Sequence, residues 1–134
     1  MEEEHPNVAL LSRLDLRDLA GAADLFSEDF VWHYFNPALP DVHGDYLGVE
    51  GLRTFFGKIA DMSDGTFRIA PVSAMPMGDE LVVVHVRNTM VSQGQSTALD
   101  AVVVWRVVDG RFAEAWDIPA INTMAVTAGA DGLQ

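Results

Sequence analysis

The longest apolar stretch of the chain lies at residues 98–119 and reads ALDAVVVWRVVDGRFAEAWDIP. Its first half is β-branched or aromatic at nearly every position, which is typical of a strand covered by protein on both faces. Asp109 and Gly110 then form a two-residue hairpin signal, because glycine adopts a positive φ without steric cost. In the second half, aromatic residues alternate with small ones, and Asp117 stands near the end. The pattern predicts a central β-hairpin.

Helical periodicity occurs in three earlier segments. The first predicted helix begins at Pro6, and the second is capped by Asp15 and continues to Phe26, with residues 27–29 as its end. A third helix is expected at residues 49–62, where apolar residues recur at spacings of three and four. These segments predict three helices in the first half of the chain.

The remaining apolar segments have the pattern of strands. Residues 30–35 are aromatic and β-branched, and residues 81–91 carry a second run of this kind. A further strand is expected at residues 66–77, where Pro71 and Pro76 favour an edge position or a bulge. The order of elements predicts an α+β fold with helices on one side of a curved mixed or antiparallel sheet.

Composition and charge narrow the class of protein. The chain has 134 residues, 49% of them hydrophobic, which suits one domain with a buried core. We expect that domain over residues 1–124 and, since residues 125–134 are rich in Ala and Gly, a disordered tail. A net charge of -12 disfavours nucleic acid and anionic membrane surfaces as partners. The acidic N-terminus has no apolar signal segment, so we expect a cytoplasmic protein.

No metal or cofactor is expected from the sequence. The chain has no cysteine, and its four histidines lack the spacing of a metal motif. One of them, His43, lies in a loop rich in Pro and Gly. It is a candidate for a second proton shuttle near a pocket mouth, and the alternative is a solvated loop histidine.

Strand alternation sorts the side chains of the central strands into two faces. If residues 93–94 form the hairpin turn, Asn88 lies opposite Leu99, and Arg87 lies opposite Asp100. We assign the Arg–Asp pair to the outer face. The central strand also has apolar side chains on that face, and because these need to be covered by protein, we expect a homodimer. The inner face then carries Val84, Val86, Asn88, Met90, Leu99, Ala101, Val103 and Trp105, and the outer face carries His85, Val102, Val104 and Arg106.

Three segments, SEDFVWHYFNP, GDYLGVEGLRTFFGKI and VVVWRVVDGRFAEAWDI, carry a family resemblance. Together they resemble the SnoaL-like branch of the nuclear transport factor 2 (NTF2)-like superfamily over residues 8–122. The resemblance implies a cone in which a curved sheet and three helices enclose a pocket, with a dimer formed on the outer sheet face. It also turns Trp32, Tyr34, Ala115 and Asp117 inward, by analogy with the pocket of ketosteroid isomerases.

The inward residues define the candidate site. In SnoaL-like polyketide cyclases an aspartate that resembles Asp117 is the acid/base for ring closure, and a carboxyl group among apolar side chains has a raised pKa. Tyr34 is expected to hydrogen-bond a developing enolate oxygen. We therefore assign Asp117 and Tyr34 as catalytic. The expected substrate-binding residues are Trp32, Phe56, Val86, Asn88, Met90, Leu99, Val103 and Trp105, with His43 and Tyr46 near the mouth.

Each assignment has a structural alternative. Asp117 could cap a loop, Tyr34 could be a core tyrosine with a satisfied hydroxyl, and Asn88 could serve the backbone. His33 is expected on the outer face. The inward acids of ketosteroid isomerases, the Asp-Arg-Asp relay of limonene epoxide hydrolases and the paired histidines of scytalone dehydratases are not found.

Two function hypotheses follow. The first is a cofactor-independent acid/base enzyme, namely a cyclase, isomerase or related lyase or hydrolase, acting on a small hydrophobic carbonyl compound. The second is a non-catalytic module of the same fold that binds a small ligand or acts through dimeric interaction.

Overall fold

The structure is a computed structural model that describes residues 4–123 and 125–127. Its helices are α1 (Pro6–Ser12) and α2 (Gly48–Ser63), and short 3-10 helices occur at Ala23–Leu25 and Ile121–Thr123. The strands are β1 (Phe26–Tyr34), β2 (Gly44–Leu47), β3 (Arg68–Met77), β4 (Leu81–Ser92), β5 (Gln95–Val108), β6 (Arg111–Pro119) and β7 (Ala125–Thr127).

The strands form one mixed sheet in the order β2-β1-β6-β5-β4-β3, and β7 pairs with β5 outside this path. β1 and β6 run parallel, while the other neighbouring pairs are antiparallel. The α+β architecture expected from the order of elements is confirmed.

Both predicted hairpin turns are present. Gln93 and Gly94 have φ angles of 53° and 78°, and Asp109 and Gly110 have 54° and 77°. Two consecutive positive φ angles match the right-handed twist of the flanking strands. The first turn sets the register of β4 on β5, so that Asn88 pairs with Leu99 and Arg87 with Asp100, as predicted.

The strand that contains two prolines lies at the sheet edge. β3 pairs only with β4 in the described part of the chain, and its register shifts between Pro71 and Ser73. Proline has no backbone N–H group to donate to a neighbouring strand. This explains why β3 lies at the sheet edge and why its register is irregular near Pro71.

The predicted second helix is wrong. Residues 15–22 form successive turns instead of an α-helix. Asp15 Oδ1 accepts a hydrogen bond from the Arg17 backbone N–H at 3.0 Å, and Asp18 Oδ1 accepts one from the Gly21 N–H at 3.1 Å. Aspartate side chains that bond nearby backbone groups compete with helix formation. The described residues therefore contain two α-helices rather than three, and β1 begins at Phe26, earlier than expected.

The expected disordered tail also differs in its first part. Residues 125–127 form β7 and pair with residues 96–98 of β5. β6 pairs with β5 only from Ala101 onwards, so the first residues of β5 extend beyond β6. The backbone groups of residues 96–98 pair with β7 instead. The rest of the predicted tail, residues 128–134, lies outside the described residues.

The core lies between α2 and the inner face of the sheet. Leu52, Phe55 and Ile59 of α2 are buried at spacings of three and four, as the periodicity predicted. At Gly51 the helix approaches β2 closely, because a Cβ atom added there would lie 2.8 Å from the Tyr46 carbonyl carbon. The first turn of α2 therefore has no room for a side chain at position 51.

Candidate active site

A cavity of about 200 Å³ lies between α2 and the inner face of the sheet. An apolar cavity of about 150 Å³ is large enough for benzene, so this one has room for a small ring with substituents. Most of its wall is apolar. The lining residues are Trp32, Tyr34, Asn36, Ala38, Leu39, Phe55, Phe56, Ile59, Met62, Phe67, Ile69, Val86, Asn88, Thr89, Met90, Thr97, Leu99, Asp117, Pro119 and Ile121.

Asp117 supplies the carboxyl group of the cavity wall. It lies in β6 between Tyr34 of β1 and Val103 of β5, and it is only 7% exposed. Burial raises the pKa of its carboxyl group from 3.8 to about 7, because desolvation disfavours the charged form. A group with this pKa is present in both protonation states at neutral pH and can take or give a proton.

Tyr34 lies beside Asp117 on the same face. Its hydroxyl oxygen accepts a hydrogen bond from Asn36 Nδ2 at 3.0 Å. The pKa of Tyr34 is raised to about 12. Burial is the largest cause and the charge of the nearby Asp117 also raises it, while the hydrogen bond from Asn36 acts in the opposite direction. Tyr34 therefore keeps its proton at neutral pH and can donate a hydrogen bond.

Three buried polar atoms have no hydrogen-bond partner within the described residues, and all three belong to residues of the cavity wall. They are Trp32 Nε1, Asn88 Oδ1 and Asp117 Oδ1. Leaving a buried polar atom unpaired costs about 1–3 kcal/mol. Such atoms are rare in folded proteins, and their grouping around one cavity is what a binding site for a polar atom requires.

The cavity brings together eight of the twelve residues predicted for the site. The eight residues are Trp32, Tyr34, Phe56, Val86, Asn88, Met90, Leu99 and Asp117.

The structure also bears on the alternative that Asp117 caps a loop. Its Oδ1 atom has no hydrogen-bond partner among the described residues, so this alternative has no support for that oxygen.

Four predicted residues are not in the cavity wall. Val103 and Trp105 do face inward, and both are buried. Val103 lies opposite Asp117 in the ladder without lining the cavity, and farther along β5 the Trp105 ring lies 4.8 Å from that of Phe112. The Tyr46 hydroxyl donates to the Val42 carbonyl oxygen. Strand alternation assigns a face and not a depth, which explains Val103 and Trp105.

His43, the fourth of these residues, is not in the cavity wall, but it lines a neighbouring pocket together with Tyr34 and Asp117. Its Nδ1 accepts a hydrogen bond from the Asn36 backbone N–H at 2.9 Å, and its ring packs against Phe35 at 5.5 Å. The proton-shuttle role of His43 stays a prediction.

Asn36 is a cavity residue that is not among those predicted from the sequence. It is 4% exposed and lines the cavity. A usable signal was present, because residues two apart in extended chain share a face, and Asn36 lies two residues after Tyr34.

The outer face of the sheet carries paired charges, as expected. His33 is hydrogen-bonded through Nδ1 to Asp45 at 2.7 Å and through Nε2 to Glu114 at 2.6 Å. Burial lowers the pKa of His33, but these two hydrogen bonds outweigh it and raise the pKa overall. The predicted pair of Arg87 and Asp100 has a separation of 3.4 Å.

Within residues 4–123 and 125–127, no group of three His, Cys, Asp or Glu side chains is placed to hold a metal ion. In the same part of the chain, no helix is long and apolar enough to cross a membrane.

The fold and the cavity together define a small α+β protein with one buried carboxyl group in an apolar pocket beneath a helix. The family model for the SnoaL-like domain matches residues 8–115, which is most of the chain. The protein therefore belongs to the SnoaL-like domain family. The match ends before Asp117, so the case for this residue rests on its own geometry. No curated protein sequence matches the chain.

Solved structures show the same NTF2-like fold. TerC, crystallised with polyporic acid, is 22% identical with a TM-score of 0.72, and the match covers 87% of this chain and 93% of TerC. An NTF2-like protein of unknown function from Burkholderia pseudomallei K96243 is 22% identical with a TM-score of 0.76, over 89% and 94% of the two chains. A candidate SnoaL-like polyketide cyclase from Jannaschia sp. CCS1 is 16% identical with a TM-score of 0.69, over 91% and 92%.

Proposed function

We propose that this protein is a cofactor-independent acid/base enzyme acting on a small hydrophobic carbonyl compound. The observation that carries the proposal is the Asp117 carboxyl group, which is buried in an apolar cavity wall, has a pKa of about 7 and leaves one oxygen without a hydrogen-bond partner. Burial without a partner is costly in stability, and it is the arrangement that a general acid/base needs.

In this mechanism the Asp117 carboxylate takes a proton from a carbon next to the carbonyl group of the substrate. The C–H electron pair becomes a C=C bond, and the carbonyl electrons move to the oxygen. The Tyr34 hydroxyl donates a hydrogen bond to the resulting enolate oxygen. Protonated Asp117 then returns the proton by one of two routes. If the substrate also carries a C=C bond conjugated with the enolate, the proton goes to the far carbon of that bond, and the shift of the double bonds completes an isomerisation. Otherwise the enolate carbon attacks a second carbonyl, and the proton goes to the oxygen of that carbonyl, which completes a ring closure.

The ionisable groups of the cavity wall favour a neutral substrate. Asp117 and Tyr34 are the only ionisable side chains among the described lining residues. Because the wall has no Lys, Arg or His, a carboxylate or phosphate on the substrate would have no counter-ion. One carboxyl group must then act as both base and acid in each turnover.

Hydrogen exchange tests the proposal without knowledge of the final product. Small aryl ketones and 1,3-diketones would be incubated with the protein in heavy water, and deuterium uptake beside the carbonyl followed by NMR. We expect the wild type to accelerate uptake for at least one compound and Asp117→Asn to abolish it. Asp61→Asn, an exposed aspartate of α2, is the matched control. Equal rates in the Asp117→Asn variant and the wild type would refute the role of Asp117.

The alternative function is non-catalytic binding of a small ligand. The co-crystal of TerC with polyporic acid supports ligand binding in a protein of this fold, and the aromatic wall formed by Trp32, Phe55 and Phe56 suits a ring. Binding of the exchange-assay compounds, detected by quenching of tryptophan fluorescence, with no deuterium uptake would favour this alternative.

We also propose that the protein forms a homodimer through the outer face of the sheet. Val102 and Ile118 pair across β5 and β6 on this face and are 37% and 49% exposed. Trp116 and Val104 form the next pair in the same ladder. Apolar side chains grouped on one sheet face are stabilised when a second copy covers them.

A further inference from the structure

Asn36 is almost completely buried, and both its backbone and its side chain make hydrogen bonds. Its backbone N–H donates to His43 Nδ1 at 2.9 Å, and its backbone carbonyl accepts from the Leu39 N–H at 3.0 Å. Its side-chain Oδ1 accepts from the Ala38 N–H at 3.2 Å, and its Nδ2 donates to the Tyr34 hydroxyl oxygen at 3.0 Å. Every polar group of this residue therefore has a partner.

These partners determine the orientation of the Asn36 amide. The Ala38 N–H can only donate, so the atom that faces it must be the Asn36 oxygen. The amide nitrogen then faces Tyr34, and because that nitrogen can only donate, the Tyr34 oxygen must be the acceptor. Pro37 follows Asn36, and the residue before a proline favours extended backbone.

The orientation of the amide decides where the Tyr34 proton points. The hydroxyl group has one proton, and Asn36 cannot accept it. No described residue other than Asn36 is hydrogen-bonded to this hydroxyl. Tyr34 lines the cavity, so the free proton is available to an acceptor atom there.

We propose that Asn36 is a positioning residue, held by His43 and Ala38, that directs the Tyr34 hydroxyl proton toward an acceptor oxygen of the ligand. This inference rests on the proposed function for the role of Tyr34 as the oxygen-binding donor. It assigns His43 a supporting part, since its Nδ1 must be unprotonated to accept from the Asn36 backbone.

The direction of the Asn36–Tyr34 hydrogen bond can be tested by whether it raises or lowers the pKa of Tyr34. A donor to the Tyr34 oxygen stabilises the phenolate and lowers its pKa, whereas an acceptor of the Tyr34 proton raises it. Asn36→Leu keeps a similar shape and removes the amide. We expect the pKa of Tyr34 to shift upward in this variant, and a downward shift or no shift would overturn the proposal.

The chain is well suited to this measurement because it has only two tyrosines. Both can be replaced by 3-fluorotyrosine, which is more acidic than tyrosine and reports ionisation by fluorine NMR. A Tyr46→Phe sample assigns the signals, and the signal of Tyr46 in the unaltered sequence serves as an internal control. Asn7→Leu removes another buried asparagine, which donates to the Asp79 carbonyl, and we expect it to leave Tyr34 unchanged.

A second measurement on the unaltered protein covers the case in which Asn36→Leu fails to fold. We expect nuclear Overhauser contacts between the Asn36 side-chain amide protons and the Tyr34 ring. If those protons contact the Ala38 amide instead, the orientation is reversed and the proposal fails. Neither experiment needs a substrate, so a protein that fails the hydrogen-exchange assay can still pass both, and the two proposals fail separately.

Discussion

Tyr34 and Asp117 are direct partners in the ladder of β1 and β6, the parallel strand pair of the sheet. Pairing in register places both side chains on the same inner face, beside one cavity. Burial raises the pKa of each group, to about 12 for Tyr34 and about 7 for Asp117. Near neutral pH only the carboxyl group titrates, so the pair combines a permanent hydrogen-bond donor with an exchangeable proton.

The raised pKa of Asp117 predicts a pH-dependent cost in stability. Between pH 4 and 7 the folded protein holds a proton on Asp117 that the unfolded chain has released, so the free energy of unfolding falls as the pH rises and the loss is complete above about 7. At about 1.4 kcal/mol per tenfold change in acidity, the full cost is of order 4 kcal/mol.

Asp117→Asn should therefore gain stability relative to the wild type as the pH rises from 5 to 8. Urea denaturation of both proteins at several pH values measures this difference, with Asp61→Asn as the exposed control. A difference that does not change with pH would contradict the raised pKa.

The same carboxyl group predicts the pH profile of hydrogen exchange. For a ketone that does not titrate, the catalysed rate should rise with pH and level off, with an apparent pKa of about 7, because the base form of Asp117 takes the proton. The initial rate of deuterium uptake between pH 5 and 9 gives this profile. A rate that is already constant from pH 5 upwards would mean that Asp117 titrates like a solvated carboxyl group.

Two glycines of α2 predict opposite effects on stability. Gly51→Ala places a methyl group 2.8 Å from the Tyr46 carbonyl carbon, a backbone atom that cannot move without shifting β2. We expect a loss of about 1–3 kcal/mol in the free energy of unfolding. Gly57→Ala meets nothing within 4 Å and should gain about 0.5–1 kcal/mol, because alanine is the better helix former.

Thermal or urea denaturation of the two variants tests the pair together. Both exchange glycine for alanine in one helix, so each controls for the other. A stabilised Gly51→Ala variant would show that α2 and β2 are farther apart than described.

The outer sheet face predicts the oligomeric state. Sedimentation velocity over a range of concentrations should give the mass of a dimer for the wild type. Ile118→Lys places a charge in the middle of the apolar patch and should give monomers. Ala20→Lys, at an exposed position in the N-terminal turns, is the control and should remain dimeric. A wild-type monomer at all concentrations would refute the dimer.

Local sequence signals were sufficient for the two hairpin turns and for the two faces of β4 and β5. A two-residue turn such as Gln93-Gly94 leaves one register open to its strands, and the register then determines which side chains share a face, as it does for Asn88 and Leu99. The same rule does not place Asp117, because the register of β5 on β6 shifts between Arg106 and Val107; its inward position was implied by the family resemblance. The helical periodicity of α2 was equally local, since its buried residues repeat every three or four positions.

Tertiary packing decided the features that depend on distance across the fold. The inner face is filled at Trp105, where the Phe112 ring of β6 lies 4.8 Å from the Trp105 ring, and it is open at Leu99, which lines the cavity. A two-residue period contains no information on this depth. The segment after Asp15 had helical periodicity, yet its aspartates bond the nearby backbone in turns.

The sequence by itself determined the α+β class, the two hairpin turns and the register of β4 on β5, because turns and alternation act between near neighbours. Only the tertiary structure decided that Asp117 is desolvated, that Tyr34 lies beside it and that Asn36 orients the Tyr34 hydroxyl. These properties arise where β1, β6 and the loop that contains His43 meet, and they depend on the exclusion of water by residues far apart in the chain.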